Sequence, residues 1–147
     1  MAEVANYKFS MEKVLDWRSD TEEEKKKNLV QVQQNKLQQE TTLQRLIGEN
    51  IKIKNDSLTT SRIDVLRRQN LYKDMIDEKI IHQKNVVGKA VKEVEVARLA
   101  LMEAHKDRKV MEKLKEKEFT FMMEQEKQDE QKQLDEMATL SFGKSFY

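Results

Sequence analysis

The chain has 147 residues, of which 28 are basic and 27 are acidic, and it contains neither cysteine nor proline. A net charge of +1 provides little attraction to nucleic acid or to an anionic membrane, and the lack of cysteine excludes disulfide and thiol chemistry. No apolar run approaches the roughly 18 residues that a membrane span requires. We therefore expect a cytoplasmic protein with no nucleic-acid partner.

Two long helices are predicted in chain order, the first over about residues 11–55 and the second over about residues 61–138. Good helix formers dominate both segments, and apolar residues recur in them with a heptad rhythm. Between them, "NDSLTTS" contains side chains that compete with the helical backbone for hydrogen bonds, so a turn is predicted at about residues 56–60. The expected architecture is all-α: one coiled-coil domain over residues 1–147, formed by a long antiparallel two-helix hairpin with a longer C-terminal helix and flexible ends.

The hairpin seam is predicted from the heptad positions of both helices. A fold at residues 57–59 places Leu29 opposite Val87, Leu15 opposite Leu101, and Leu43 near Lys73. Alanine occurs at every seventh position of the second helix in this region, and small side chains allow two helix axes to approach closely. The alternative is that these alanines serve only as helix formers. The predicted seam contains Leu15, Leu29, Val32, Leu43, Leu46, Ile80, Val87, Ala90, Val94, Ala97, Leu101 and Ala104.

The end of the second helix is predicted to extend beyond the first helix. In the proposed register, pairing ends near residues 105–110, which leaves apolar side chains beyond that point without a partner. Such side chains on an unpaired helix indicate a partner surface, and methionine suits adaptable contacts. The alternative is that they pack back on the N-terminal segment through Phe9 and Trp17. The candidate contact residues are Met111, Leu114, Phe119, Phe121, Met122 and Met123.

A second cluster of apolar side chains lies off the seam near the hairpin tip. A two-helix coiled coil buries only its seam, so these side chains are expected to be exposed and to form an interaction site. The alternative is a local thickening of the seam. The candidates are Ile47, Ile51, Leu71, Tyr72 and Met75.

No catalytic, cofactor-binding or metal-binding pattern is found in the sequence. There is no glycine-rich phosphate loop, and His82 and His105 lie too far apart in sequence for a helical metal motif. Trp17 lies outside the strict seam and is interpreted as either a packing anchor or an interface anchor. We therefore expect no enzyme activity and no cofactor.

The two ends of the chain resemble the flagellar FliJ family. "YKFSMEKVLDWRSDTEEEKKKNL" resembles its N-terminal segment through Phe9, Val14-Leu15 and Arg18, followed by a glutamate-rich helix. "RKVMEKLKEKEFTFMMEQEKQDEQKQLDEMA" resembles its C-terminal segment and closes on Leu134-Asp135-Glu136 and Ala138. The middle of the chain matches only in helical pattern.

The resemblance implies a component of the bacterial flagellar type III export apparatus. FliJ-like proteins form a coiled coil similar to the gamma-subunit stalk of rotary ATPases, and they bind and stimulate the hexameric flagellar export ATPase. They also contact the cytoplasmic linker of the export-gate membrane protein and escort export chaperones. The resemblance thus implies the ATPase as partner of the C-terminal overhang and offers the gate linker as a candidate partner of the tip. It also implies a location peripheral at the cytoplasmic face of the inner membrane within the apparatus. The single helix break and the self-complementary heptads predict a chain that is monomeric alone.

Other functions remain open from the residues alone. One is a homodimeric coiled-coil scaffold without an ATPase partner, which the helix-breaking "NDSLTTS" disfavours. A second is a three-helix bundle with a break near Gly88, which the uninterrupted heptads through Gly88 disfavour. A basic-zipper nucleic-acid binder lacks the basic block that it needs.

Overall fold

The computed structural model describes residues 7–57 and 62–145, in which two helices account for nearly all of the chain. Helix α1 spans Glu12–Ser57 and helix α2 spans Ile63–Ser145. The backbone amide of Glu12 donates to the carbonyl of Phe9 over 3.2 Å at the start of α1. Glu12 lies in the first turn of α1, where its negative charge interacts favourably with the positive end of the helix dipole. The predicted all-α class, with antiparallel pairing and a longer second helix, is confirmed.

The helix ends lie close to the predicted ones except at the C-terminus. There α2 continues to Ser145, past the expected flexible end after residue 138. No proline interrupts this stretch, and the Thr139 hydroxyl donates to the Asp135 carbonyl over 2.8 Å within the helix. Most of the predicted turn, at residues 58–60, lies outside the described residues.

The contacts group the chain into two compact units. Unit 1 combines the N-terminal residues up to Thr21 with the chain from His105 onward, and unit 2 comprises Glu22–Ala104. Within each unit, a segment of α1 runs antiparallel to a segment of α2. In unit 1 Arg18 pairs with Asp107 over 3.4 Å.

Unit 2 has an apolar cluster and an adjoining polar layer between its two helices. The buried cluster consists of Leu46, Ile76 and Ile80, and Ile76 is only 1% exposed. Next to it, buried Gln83 donates its side-chain amide to the Gln39 carbonyl (2.9 Å) and to the Gln39 side-chain oxygen (2.8 Å). A buried amide is costly unless it is hydrogen-bonded, and the double contact removes most of that cost.

The alanine row of α2 is buried along the same helix pair. Ala90, Ala97 and Ala104 are 2%, 4% and 6% exposed. Because alanine side chains are short, their burial here means that the α1 segment lies close to the α2 backbone. The larger residues of the predicted seam are also buried or half-buried: Leu15, Leu29, Val32, Leu43, Leu46, Ile80, Val87, Val94 and Leu101.

The pairing register differs from the predicted one by about two to three helical turns along α2. Leu15 packs with Met111 where Leu101 was expected, and Leu43 packs on the cluster containing Ile80 where Lys73 was expected. One reason is that α1 runs to Ser57 and α2 begins only at Ile63, so the reversal is centred later than residues 57–59. A second reason is that side chains lean toward the N-terminus of their own helix. Each contacting residue therefore lies about one position further along the chain than the point where it makes contact.

Replacing Ala97 with leucine is expected to destabilise the chain, since a larger side chain at a buried, close-packed position forces the helices apart. Overpacking of this kind costs about 1–3 kcal/mol. Urea unfolding followed by circular dichroism measures the change. Val96→Leu is the matched control because the neighbouring Val96 is exposed. Equal unfolding free energies for the two variants would contradict the close packing at Ala97.

Candidate interaction surfaces

In unit 1 the N-terminal strap, defined as residues 7–11, covers part of α2 before α1 begins. Phe9 is buried in a cluster with Leu15 and Met111. The Tyr7 ring meets the Phe119 ring edge to face, with centroids 5.3 Å apart and an interplanar angle of 68°. Aromatic pairs in this geometry contribute about 0.5–1.5 kcal/mol beyond the area that they bury. The strap therefore continues the apolar pairing past the first residue of α1.

Polar contacts accompany these apolar ones. The Tyr7 hydroxyl donates to the Lys115 carbonyl over 3.4 Å, and the Ser10 hydroxyl donates to a Glu118 carboxylate oxygen over 3.0 Å. The Lys115 ammonium lies 3.1 Å from a Glu12 carboxylate oxygen. Desolvation, reinforced by Glu118 and opposed by Lys115, raises the pKa of the Tyr7 phenol above its usual value. Exposed ion pairs contribute little, so the aromatic and aliphatic contacts dominate the binding of the strap to α2.

The strap corrects the predicted overhang of α2. Met111 is only 4% exposed and Phe119 is half-buried, so neither is a freely exposed anchor as was expected. The alternative of packing back on the N-terminal segment holds for Phe9, whereas Trp17 is 64% exposed and is no packing anchor. The shifted register and the strap together account for this, because they extend the pairing along α2 as far as Phe119.

The remaining apolar side chains lie on the distal segment of α2, defined as residues 120–145. Among the sequence candidates, Phe121 and Met122 are exposed, and Met123 is half-buried. Leu114, before this segment, is also exposed. The distal segment exposes further large apolar side chains that the sequence analysis did not select as contacts: Leu134, Met137 and Leu140.

The tip candidates in unit 2 divide into two groups. Ile47 is half-buried and packs against the Leu46 cluster, which agrees with the alternative of a thickened seam. The other four are exposed, and one of them, Met75, lines a shallow groove with Thr42, Arg45 and His82. The exposed tip residues are Ile51, Leu71, Tyr72 and Met75.

Metal-binding clusters and membrane spans are both absent from the described part of the chain. Residues 7–57 and 62–145 contain no group of three histidine, cysteine or acidic side chains that could hold a metal ion. Neither described helix is long and apolar enough to cross a membrane.

Sequence reasoning missed the strap as an ordered element. The alternation of Tyr7 and Phe9 with polar residues, typical of an extended segment with one buried face, could have indicated it.

The comparisons with known proteins identify a family. The family model described as the flagellar FliJ protein matches residues 7–145, which include both helices and the strap. Neither a curated protein nor a solved structure matches the chain. The match covers the middle of the chain as well as its two ends.

Replacing Phe9 with alanine is expected to release the strap, since truncating a buried phenylalanine typically costs about 3–5 kcal/mol. Hydrogen exchange should then become faster in α2 near residues 111–119. Trp17→Ala serves as the matched control, because it also removes a large aromatic side chain of unit 1 but one that is mostly exposed. Unchanged exchange near Met111 in the Phe9 variant would show that the strap does not protect this part of α2.

Proposed function

The chain belongs to the flagellar FliJ family, and we propose that it binds and stimulates the hexameric flagellar export ATPase as a stalk-like adaptor and links this ATPase to the export gate. Family membership assigns the chain to flagellar protein export. In the proposed role it has no active site of its own and acts through helix surfaces. It works in the cytoplasm, peripheral to the inner membrane, and escorts export chaperones.

The observation that carries the ATPase contact is the distal segment of α2. The helix continues to Ser145, although the strap contacts that cover it extend only as far as Phe119. An isolated helix is marginal in water, and exposed apolar side chains such as Phe121 and Met137 are favourable only once a partner covers them. A ring-shaped partner that receives the end of a helical stalk would cover such a segment on several sides.

The competing function, a homodimeric scaffold, is disfavoured by the charge of the same segment. Residues 124–144 contain six acidic and three basic side chains. Self-association through this segment would bring two acidic surfaces together, and like charges in contact are unfavourable. The seam is also filled within the chain, since Leu15 packs with Met111 and Leu46 packs with Ile80. A parallel dimer would have to break these contacts.

We propose the exposed tip residues as the gate contact. Ile51, Leu71, Tyr72 and Met75 are large apolar side chains that are exposed near the end of α1 and the start of α2, and Tyr72 combines a large apolar ring with a hydroxyl. Ile47 is left out because it supports the Leu46 cluster from its half-buried position. The tip and the distal segment lie in different units, so each contact is open to a separate test.

Truncation after Thr120 tests the ATPase contact, because it removes the distal segment and keeps every strap contact. Stimulation of the purified export ATPase should be lost, and binding should weaken by about 2 kcal/mol or more if the segment contains hot spots. A full-length chain with Phe121→Ser and Met137→Ser should lose stimulation in the same assay. Full stimulation by both variants would contradict the proposal.

The tip is tested with Ile51→Ala, Leu71→Ala and Tyr72→Ala combined. Binding of the purified cytoplasmic domain of the gate protein should weaken by about 1 kcal/mol or more, since at least one hot spot is removed. Helicity and ATPase stimulation should stay unchanged because all three side chains are exposed. Val30→Ala and Leu37→Ala, on exposed positions of α1 elsewhere in unit 2, provide the control. Undiminished gate binding by the triple variant would remove the tip from consideration.

A further inference from the structure

The outer side of α2 in unit 2 carries an exposed face that neither proposed contact uses. Two rows define this Gly88 face: Ile81, Gly88 and Leu99, and beside them Lys84, Val91 and Met102. Within each row the residues are seven and then eleven apart, which is close to two and three full turns, so each row lies on one side of the helix. All six residues are exposed.

This face points away from the helix pair. Ala90 is buried in the seam, and it lies two residues after Gly88, about 200° around the helix. The apolar side chains Ile81, Leu99 and Met102 therefore have no role in the packing of α2 against α1. None of these three side chains belongs to the exposed tip residues defined above.

Gly88 has no explanation within the fold. Its φ is not positive, and a Cβ added to it would meet no atom within 4 Å. Glycine within a helix costs about 1 kcal/mol relative to alanine. No contact within the fold requires the absence of a side chain at Gly88, so nothing in the isolated chain offsets this cost. A glycine on a helix surface does, however, allow the backbone of another helix to approach closely.

Gly48 shares these backbone properties but has a different setting. A Cβ at Gly48 would also meet nothing within 4 Å, and its φ is not positive. Its neighbours one and two turns away on that side of α1 are mostly polar, namely Thr41, Gln44 and Lys52, and Ile51 is the apolar exception. The corresponding neighbours of Gly88 include Ile81 and, three residues on, Val91. Gly48 is therefore a matched position for testing whether the effect of Gly88 is specific.

The charge around Gly88 is basic. Lys84 and Lys92 lie one turn before and one turn after it, and neither has an ion-pair or hydrogen-bond partner among the described residues. Two carboxylates follow Gly88 in the sequence. Glu93 lies about 140° around the helix from Gly88. Glu95 lies on the same side as Gly88, seven residues on, and is bound by Arg98 through two contacts of 2.5 and 3.1 Å. The Arg98 guanidinium holds the pKa of Glu95 below its usual value, so Glu95 stays ionised and its charge is balanced by Arg98. The positive charge of the two lysines is thus left without compensation.

We propose that the Gly88 face is a docking site for an acidic amphipathic helix of a partner protein. The partner helix crosses α2 over Gly88, where the missing side chain lets the two backbones approach. Its apolar side chains cover Ile81, Leu99 and Met102, and its carboxylates lie beside Lys84 and Lys92. A second copy of the chain fits this face poorly, because the lysines of two copies would then lie together. The proposal does not depend on the ATPase or the gate contact.

The test uses the full-length chain and a designed amphipathic peptide of about 18 residues, long enough for five helical turns. The peptide has an alanine and leucine face flanked by glutamates, and a companion peptide has lysines in place of the glutamates. Fluorescence anisotropy measures binding, and amide chemical shifts locate it. We expect the glutamate peptide to bind more tightly than the lysine peptide, to weaken as salt is added, and to shift amides within residues 81–102.

The variants separate the proposal from its competitors. Gly88→Leu should weaken peptide binding at least tenfold, whereas Gly48→Leu should leave it unchanged. A Cβ at either position meets no atom within 4 Å and both positions are exposed, so both variants should melt no lower than the parent chain. Lys84→Glu combined with Lys92→Glu should reverse the preference and favour the lysine peptide.

Three outcomes would overturn the proposal. The first is that the glutamate peptide fails to bind, and the second is that Gly88→Leu binds it as well as the parent chain does. The third is that the chain binds vesicles of anionic phospholipid and Gly88→Leu binds them more tightly, since an added apolar side chain favours a membrane surface. None of these readouts involves the ATPase or the gate, so a failure here is distinct from a failure of the proposed function.

Discussion

Burial of small side chains along one edge of α2 is the constraint on which the architecture depends. Ala90, Ala97 and Ala104 bury almost their whole surface, yet each contributes only a methyl group. These alanines therefore contribute to stability mainly by allowing α1 and α2 to lie close together. The half-buried side chains beside them on both helices can then contact one another. The larger apolar contributions lie in the cluster around Phe9 and Met111 in unit 1 and in the Leu46 cluster in unit 2.

A seam of small and mixed residues specifies its register only weakly, so polar contacts matter for the uniqueness of the pairing. Gln83 finds two acceptors on Gln39 in the observed register, and sliding the helices would leave its buried amide without them. An unsatisfied buried amide costs about 1–3 kcal/mol, which is comparable to the gain from one apolar layer. The pair thus selects among registers that the alanine row alone would tolerate.

The sequence was sufficient to predict the two helices and the side of each that is buried, because heptad spacing reports both. It was insufficient for the register, since Leu15 finds a hydrophobic partner at either Leu101 or Met111 and the pattern does not distinguish them. The strap was expected only as an alternative, through Phe9, because Tyr7 and Phe9 precede the helical period. Local pattern identifies a face, and tertiary contacts decide what covers it.

A pair of helices buries one stripe on each member, so apolar residues elsewhere on α1 and α2 are exposed whether or not they have a function. Exposure alone therefore does not distinguish a docking surface from scattered apolar residues. The distinguishing feature is a cost that the fold does not explain, at a place where several exposed apolar side chains lie together. The distal segment extends α2 beyond its cover, and Gly88 weakens a helix in which alanine would fit. Both features are unfavourable in the isolated chain, and a partner that covers either surface would offset its cost.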